Sequence, residues 1–107
     1  MADAFHIPLT LCPDFIPALL AAGANTIHTT PAGVGNGDEL WIHLYTSASA
    51  ETITVASGGV NIQVDLVIPA FTDYTLFAGQ PLRNGLALEI VCTVGGIMRV
   101  MGWVNRL

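Results

Sequence analysis

The chain has 107 residues, of which 52% are hydrophobic and only 10% charged, with three arginines, no lysine and a formal net charge of −5. That length gives room for one domain with a modest core, and so few cations exclude the basic footprint on which nucleic-acid binding depends. Mean hydropathy is +0.61, but the most apolar window, Leu86 to Val104, contains Glu89, Arg99 and a Gly95-Gly96 break and alternates like a strand, so no membrane-spanning helix is expected.

Met1 to Asp3 reads as a loose start, and no basic residue precedes Phe5-His6-Ile7, so no secretory signal is expected. Ala4 to Leu11 reads as a first strand that Pro8 restricts to an edge or to entry from another subunit. Cys12 to Ala22 is the one helical candidate, with Asp14 to cap it, Pro17 early and Gly23 to end it. Three prolines between positions 8 and 17 make this region arm-like, which suits either packing on a neighbour or a plain irregular lead-in.

Asn25 to Thr30 is a short polar strand, followed by a turn-rich loop from Pro31 to Gly37. Asp38 to Ser47 is a strong strand. Leu40, Ile42 and Leu44 form one face, and Trp41, His43 and Tyr45 the other, so cover is expected on both sides. Glu51 to Ala56 and Val60 to Ile68 flank Ser57-Gly58-Gly59 as a hairpin. Val60, Ile62, Val64, Leu66 and Ile68 are expected to face the core, and Asn61, Gln63 and Asp65 to face water. Tyr74 to Phe77 is another strand, and Ala78 to Gly85 a loop. Leu86 to Val94 and Ile97 to Asn105 then read as a last hairpin around a Gly95-Gly96 turn. Its return arm is expected in the middle of a sheet, because a long apolar edge invites aggregation.

The pattern predicts an all-β single domain of about eight short strands, a jelly-roll-like β-sandwich at 23–107 with an extended N-terminal arm at 1–22. Strand order alone leaves an Ig-like sandwich open. The composition suits either a tightly packed β-domain with a Thr/Ser/Asn surface or an outer surface largely buried against partner subunits, and charge depletion, the compositional mark of interface cores, favours the second.

Catalytic motifs are lacking. His6, His28 and His43 have no His, Cys or carboxylate partner at strand spacing, so no metal is expected and an ordinary surface or satisfied core position is expected for each. Asp38 and Glu39 are adjacent and point to opposite faces. Asp65, Asp73 and Glu89 have no required convergence. No serine lies in a GxSxG elbow, and Gly33 to Gly37 lacks the helix a dinucleotide site requires. Cys12 and Cys92 lie 80 residues apart, and Cys92 reads as a buried free thiol. No catalytic residue and no cofactor is therefore expected.

Four stretches carry a resemblance. Ala24 to Gly33 (ANTIHTTPAG) is similar to a first strand "a-x-T-I-Y-T-x-P-A-G". Ala78-Gly79-Gln80-Pro81-Leu82 with Asn84-Gly85-Leu86-Ala87-Leu88 is similar to "L-x-N/x-G-D/x-x-L", with Leu86 where that pattern has Asp. Val100-Met101-Gly102-Trp103 is similar to a terminal "V-x-G-[YW/x]". Together with Ile68 to Leu76 these resemble small virion accessory proteins of tailed bacteriophages, over about two thirds of the chain.

The resemblance implies a capsid decoration (cement) protein: a homotrimeric β-sandwich, made in the host cytoplasm, that sits on the virion surface over junctions of the major capsid protein. A head fibre or tail accessory subunit is the alternative that the same resemblance permits, and a small carbohydrate-binding sandwich that stacks sugars on Trp41 or Trp103 is the rival of another class. Phe5, Ile7, Leu9, Leu11, Phe15 and Ile16 are the expected capsid or subunit contacts, and removal of residues 1–20 is expected to leave a folded body. Trp41, His43, Tyr45, Met101 and Trp103 are the expected oligomer interface.

Overall fold

The computed structural model describes residues 5–33 and 37–107, with the backbone alone at Phe5. Nine strands follow in order: β1 Phe5–Pro8, β2 Ala18–Leu19, β3 Gly23–Thr29, β4 Asp38–Thr46, β5 Glu51–Ser57, β6 Val60–Ile68, β7 Asp73–Leu82, β8 Ala87–Cys92 and β9 Met98–Arg106. One sheet has the order β1-β9-β4-β7, with β2 also on β9, and the other has the order β3-β8-β5-β6. β1 pairs with the C-terminal half of β9 and β2 with its N-terminal half, so the two act as a single edge strand interrupted by an excursion. Counted that way there are eight strands. The first lies beside the last in one sheet and the second beside the seventh in the other, which is the nested order of a jelly roll.

Period-2 alternation builds the core. Leu40, Ile42 and Leu44 of β4 and Val100 and Val104 of β9 join Ile53 and Val55 of β5 and Leu88 and Ile90 of β8 in one buried cluster. β9 is central, between β1/β2 and β4, as its apolar character predicts.

Five local expectations are corrected. Leu86 to Asn105 is not a hairpin, because β8 and β9 belong to different sheets and the Thr93–Ile97 segment crosses between them. Only Gly96 takes a positive φ (78°), whereas a type I′ turn would need one at both glycines. Gly95 is instead pressed on the preceding segment, where a Cβ would come within 2.6 Å of the Ala22 nitrogen. Cys12 to Ala22 forms no helix. Pro13 and Pro17 remove two donors from so short a segment, Phe15 turns left-handed (φ 57°), and Ala18–Leu19 joins β9.

β7 runs on through the expected 78–85 loop as far as Leu82, because register shifts against β4 absorb its irregularity and an edge strand accepts Pro81. β6 does not keep one face on the core. Val60, Ile62 and Val64 are exposed along with Asn61, Gln63 and Asp65, and only Ile68 is fully buried.

The fifth correction concerns the arm. Leu9, Cys12 and Leu20 are fully buried core residues, and Ile7 and Leu11 pack against that core. Removal of residues 1–20 would strip one flank of β9 and open the core, so a folded remainder is not expected. Leu9→Ala is expected to cost about 2–5 kcal/mol, visible as a lowered denaturant midpoint at unchanged m-value.

Candidate functional site

The outward side chains of the β1-β9-β4-β7 sheet form the most distinctive surface. Cross-strand register sets them in rows: Glu39 beside Asn105, Trp41 beside Trp103, His43 beside Met101, and Tyr45 beside Arg99. Trp41 and Trp103 stack with ring centroids 6.2 Å apart and planes within 7°. His6 from β1 lies 5.6 Å from Trp103 on its other side. Gly79 of β7 lies beyond Trp41, where a Cβ would approach the ring at 3.5 Å. The result is an aromatic ladder from β1 through β9 to β4, flanked by Gly79 of β7, with both indoles half-buried.

Hydrogen bonds hold the ladder in place. Trp41 Nε1–H donates to Glu39 Oε1 at 2.9 Å, and Asn105 Nδ2–H donates to the same oxygen at 3.1 Å. Trp103 Nε1, by contrast, is closed off from solvent and has no hydrogen-bond partner among the described residues. A sugar-stacking platform needs an open ring face, and the neighbours of each indole leave little of one.

A second row, His43 over Tyr45, stacks at 6.4 Å. Burial, and then the charge of Asp73, push the Tyr45 hydroxyl pKa above its ordinary value. His43 Nδ1 lies 3.4 Å from Asp73 Oδ1, but Asp73 is well exposed and His43 only half-buried, so the contact contributes little. Beyond Tyr45 a cavity of about 180 Å³ is lined by Leu19, Tyr45, Thr46, Ser47, Gly96, Ile97 and Arg99.

The sequence expectations sort as follows. Trp41, His43, Tyr45, Met101 and Trp103 fall on this one surface, half-buried. Phe15 and Ile16 are exposed at the excursion between β1 and β2, whereas Leu9 is enclosed and Ile7 and Leu11 turn toward the core. The Phe5 side chain lies outside the described residues.

One buried constellation was not legible. Asp38, fully enclosed at the start of β4, accepts from Arg106 Nε at 2.9 Å and Nη2 at 3.1 Å, and lies 2.7 Å from His28 Nε2. His28 Nδ1 faces the Thr10 backbone N–H at 3.2 Å and Thr10 Oγ1 at 2.9 Å. A backbone N–H can only donate, so Nδ1 is the acceptor and Nε2–H donates to Asp38. Burial acts to raise the Asp38 pKa, but the hydrogen bonds and charges of Arg106 and His28 outweigh it and hold the carboxyl below its ordinary range.

Hydroxyl, imidazole and carboxylate in line have the outline of a nucleophilic triad. The geometry opposes that use. The Nδ1 lone pair is shared between two Thr10 donors, Thr10 Oγ1 is itself held by the Thr29 N–H at 3.2 Å, and Asp38 is neutralised by Arg106. This cluster is a clasp. It ties the excursion (Thr10), one sheet (His28) and the other sheet (Asp38, Arg106) together.

Among the described residues, no group of three His, Cys, Asp or Glu is arranged to hold a metal. Cys12 and Cys92 are free and buried. Cys12 Sγ–H donates to the Val100 carbonyl at 3.2 Å. Burial, and then the charge of Glu51, push the Cys92 thiol up to about 11. Both thiols are therefore expected to be unreactive to a thiol-specific chromogenic disulfide at pH 8 in the native protein, and to react with two equivalents once it is unfolded. Comparisons of this chain with family models, with curated proteins and with solved structures found no match.

Proposed function

We propose that the chain is a virion structural protein, a capsid decoration subunit that binds and stabilises the assembled shell of a tailed phage, acting as a homotrimer. The observation that carries this reading is a small jelly roll whose charge is 10% of residues and whose outer surface keeps contiguous apolar and aromatic groups. Such a surface suits burial against subunits more than exposure to water. Phe15, Ile16 and Leu19, exposed beside β9 with Asp14 and Arg99 as charged neighbours, supply an apolar patch suited to gripping a shell. The Trp41–Trp103 ladder supplies a flat, rigid face suited to trimer contact. A ligand that binds only the assembled shell stabilises it by mass action, and many copies add through avidity.

The test is co-sedimentation of the purified chain with tailed-phage heads lacking decoration, against the unassembled major capsid protein. Binding to heads alone, with a raised melting temperature of the heads, is the expected result. Ile16→Asp should abolish that binding while the protein stays folded. Trp41→Ser should convert a trimer to monomers in light scattering. Equal binding of assembled and unassembled capsid protein, or no binding to either, overturns the reading.

A further inference from the structure

The loop between β6 and β7 holds an aromatic side chain out in solvent. Phe71 is 80% exposed and takes a left-handed φ of 52°, a conformation that glycine adopts freely and that a bulky side chain disfavours. The loop is nonetheless fixed. Phe71 N–H donates to the Ser47 carbonyl at 2.7 Å, and Thr46 N–H donates to the Thr72 carbonyl at 3.0 Å. Thr72 N–H donates to Thr46 Oγ1 at 2.9 Å, and that hydroxyl donates in turn to the Pro69 carbonyl. A strained, exposed aromatic on a loop tied at four points is a rigid knob, and strain held in this way clusters at sites that bind.

The cavity beyond Tyr45 lies next to this knob. Ser47, whose carbonyl holds Phe71, is one of its walls, whereas Phe71 is not. The cavity measures about 180 Å³, and an apolar cavity of about 150 Å³ holds a benzene ring. Leu19, Ile97 and the Tyr45 ring supply apolar wall. The two aliphatic hydroxyls are spent on backbone, Thr46 on Pro69 and Ser47 on the Ile97 carbonyl at 3.3 Å. Arg99 makes no hydrogen bond or ion pair among the described residues. Its guanidinium is therefore left for whatever enters, and the face of an aromatic ring suits it.

We propose that Phe71 of one copy of this chain inserts into the Leu19–Tyr45–Ile97 cavity of a second copy, and that the partner's Phe71 inserts in return. The partner follows from the chain's own surface. Knob and hole are both present and flank one residue, Ser47, so a single two-fold axis serves both contacts at once. A phenyl ring matches the hole in volume and in apolar character and gives Arg99 a cation–π contact. Two inserted rings make a small interface, so the dimer is weak and dissociates on dilution. The contact does not rest on the capsid reading.

The test is sedimentation velocity of the full chain over a dilution series, with Phe71→Gly, Leu19→Trp and an equimolar mixture of the two variants. Phe71→Gly removes the knob and is expected to weaken the association roughly thirtyfold or more. Its melting temperature at the lowest concentration does not fall, because glycine takes the left-handed φ without strain. A fall would show that the ring packs within its own chain and would overturn the proposal. Leu19→Trp, at a half-exposed position on the cavity wall, fills the hole and weakens the association to a similar degree. Each variant keeps what the other lacks, so the mixture regains one knob-in-hole contact and associates more tightly than either variant alone. Undiminished association in Phe71→Gly, a mixture no tighter than its components, or Phe71-dependent binding to phage heads by a wild-type chain that stays monomeric at every concentration each overturns the proposal. The last of these outcomes assigns the knob to the shell instead.

Discussion

Gly102→Ala is expected to be the most damaging single methyl in this protein. Gly102 lies in the middle of β9, buried and paired with Ile42 of β4. A Cβ there would overlap the Trp41 carbonyl oxygen and come within 3.0 Å of the Ile42 Cα. Both are backbone atoms of the central neighbouring strand, so no rotamer change relieves the overlap. The constraint is space, since Gly102 has no positive φ. Strands β4 and β9 must separate, and their separation also pulls apart the Trp41–Trp103 stack on the surface above. The expected cost is about 4 kcal/mol or more, a large share of the ~5–15 kcal/mol that small domains possess. Urea unfolding followed by tryptophan emission checks this. The variant should unfold at much lower denaturant and show a red-shifted native spectrum. A midpoint within error of wild type would mean that the β4–β9 contact is looser than described.

Asp38→Ala is expected to have the second largest effect, about 3–5 kcal/mol, because it leaves His28 enclosed and Arg106 half-covered without the carboxylate that both face. Asp38→Asn keeps the shape and one acceptor, so its cost is smaller. The same group sets an acid limit. Its pKa when folded lies below the ordinary 3.8. Between those two values the unfolded chain binds the proton more readily than the folded one, so stability rises with pH there. The Asp38 contribution is complete above about pH 4 and is lost as pH falls through the folded pKa. Melting temperatures measured from pH 2 to 7 should show a steep acid drop in the wild type and a shallower one in Asp38→Asn. Parallel curves would remove Asp38 as the source.

Much of the strand content was legible because a strand encodes its own faces. In β4, Leu40, Ile42 and Leu44 alternate with Trp41, His43 and Tyr45, and the structure buries the first set and leaves the second half-covered outside. β6 shows where that logic stops. Its apolar alternation is as clear as that of β4, yet Val60, Ile62 and Val64 face solvent, because β6 is an edge with bulges against β5. Alternation says that a face is apolar and leaves open whether anything lies over it. The aromatic surface was legible as a list of residues. The ladder from His6 through Trp103 to Trp41 needed the register of three strands.

The clasp was not legible at all. Thr10, His28, Asp38 and Arg106 are scattered over nearly the whole chain and share no spacing. The final hairpin failed for a related reason. Two alternating runs around Gly95-Gly96 look the same whether they pair with each other or enter opposite sheets.

The sequence by itself determined an all-β chain, the inward residues of its central strands, the burial of its last strand and a surface poor in charge. Those properties follow from side-chain period and composition, which act over a few residues. The tertiary structure alone decided which sheet each strand joins, that residues 9–20 close the core, and that Asp38 meets His28 and Arg106. Those outcomes depend on backbone pairing and packing between distant segments, such as the 88 positions spanned by the Cys12 to Val100 hydrogen bond and the still wider pairing of Phe5 with Arg106, and no local pattern carries that information.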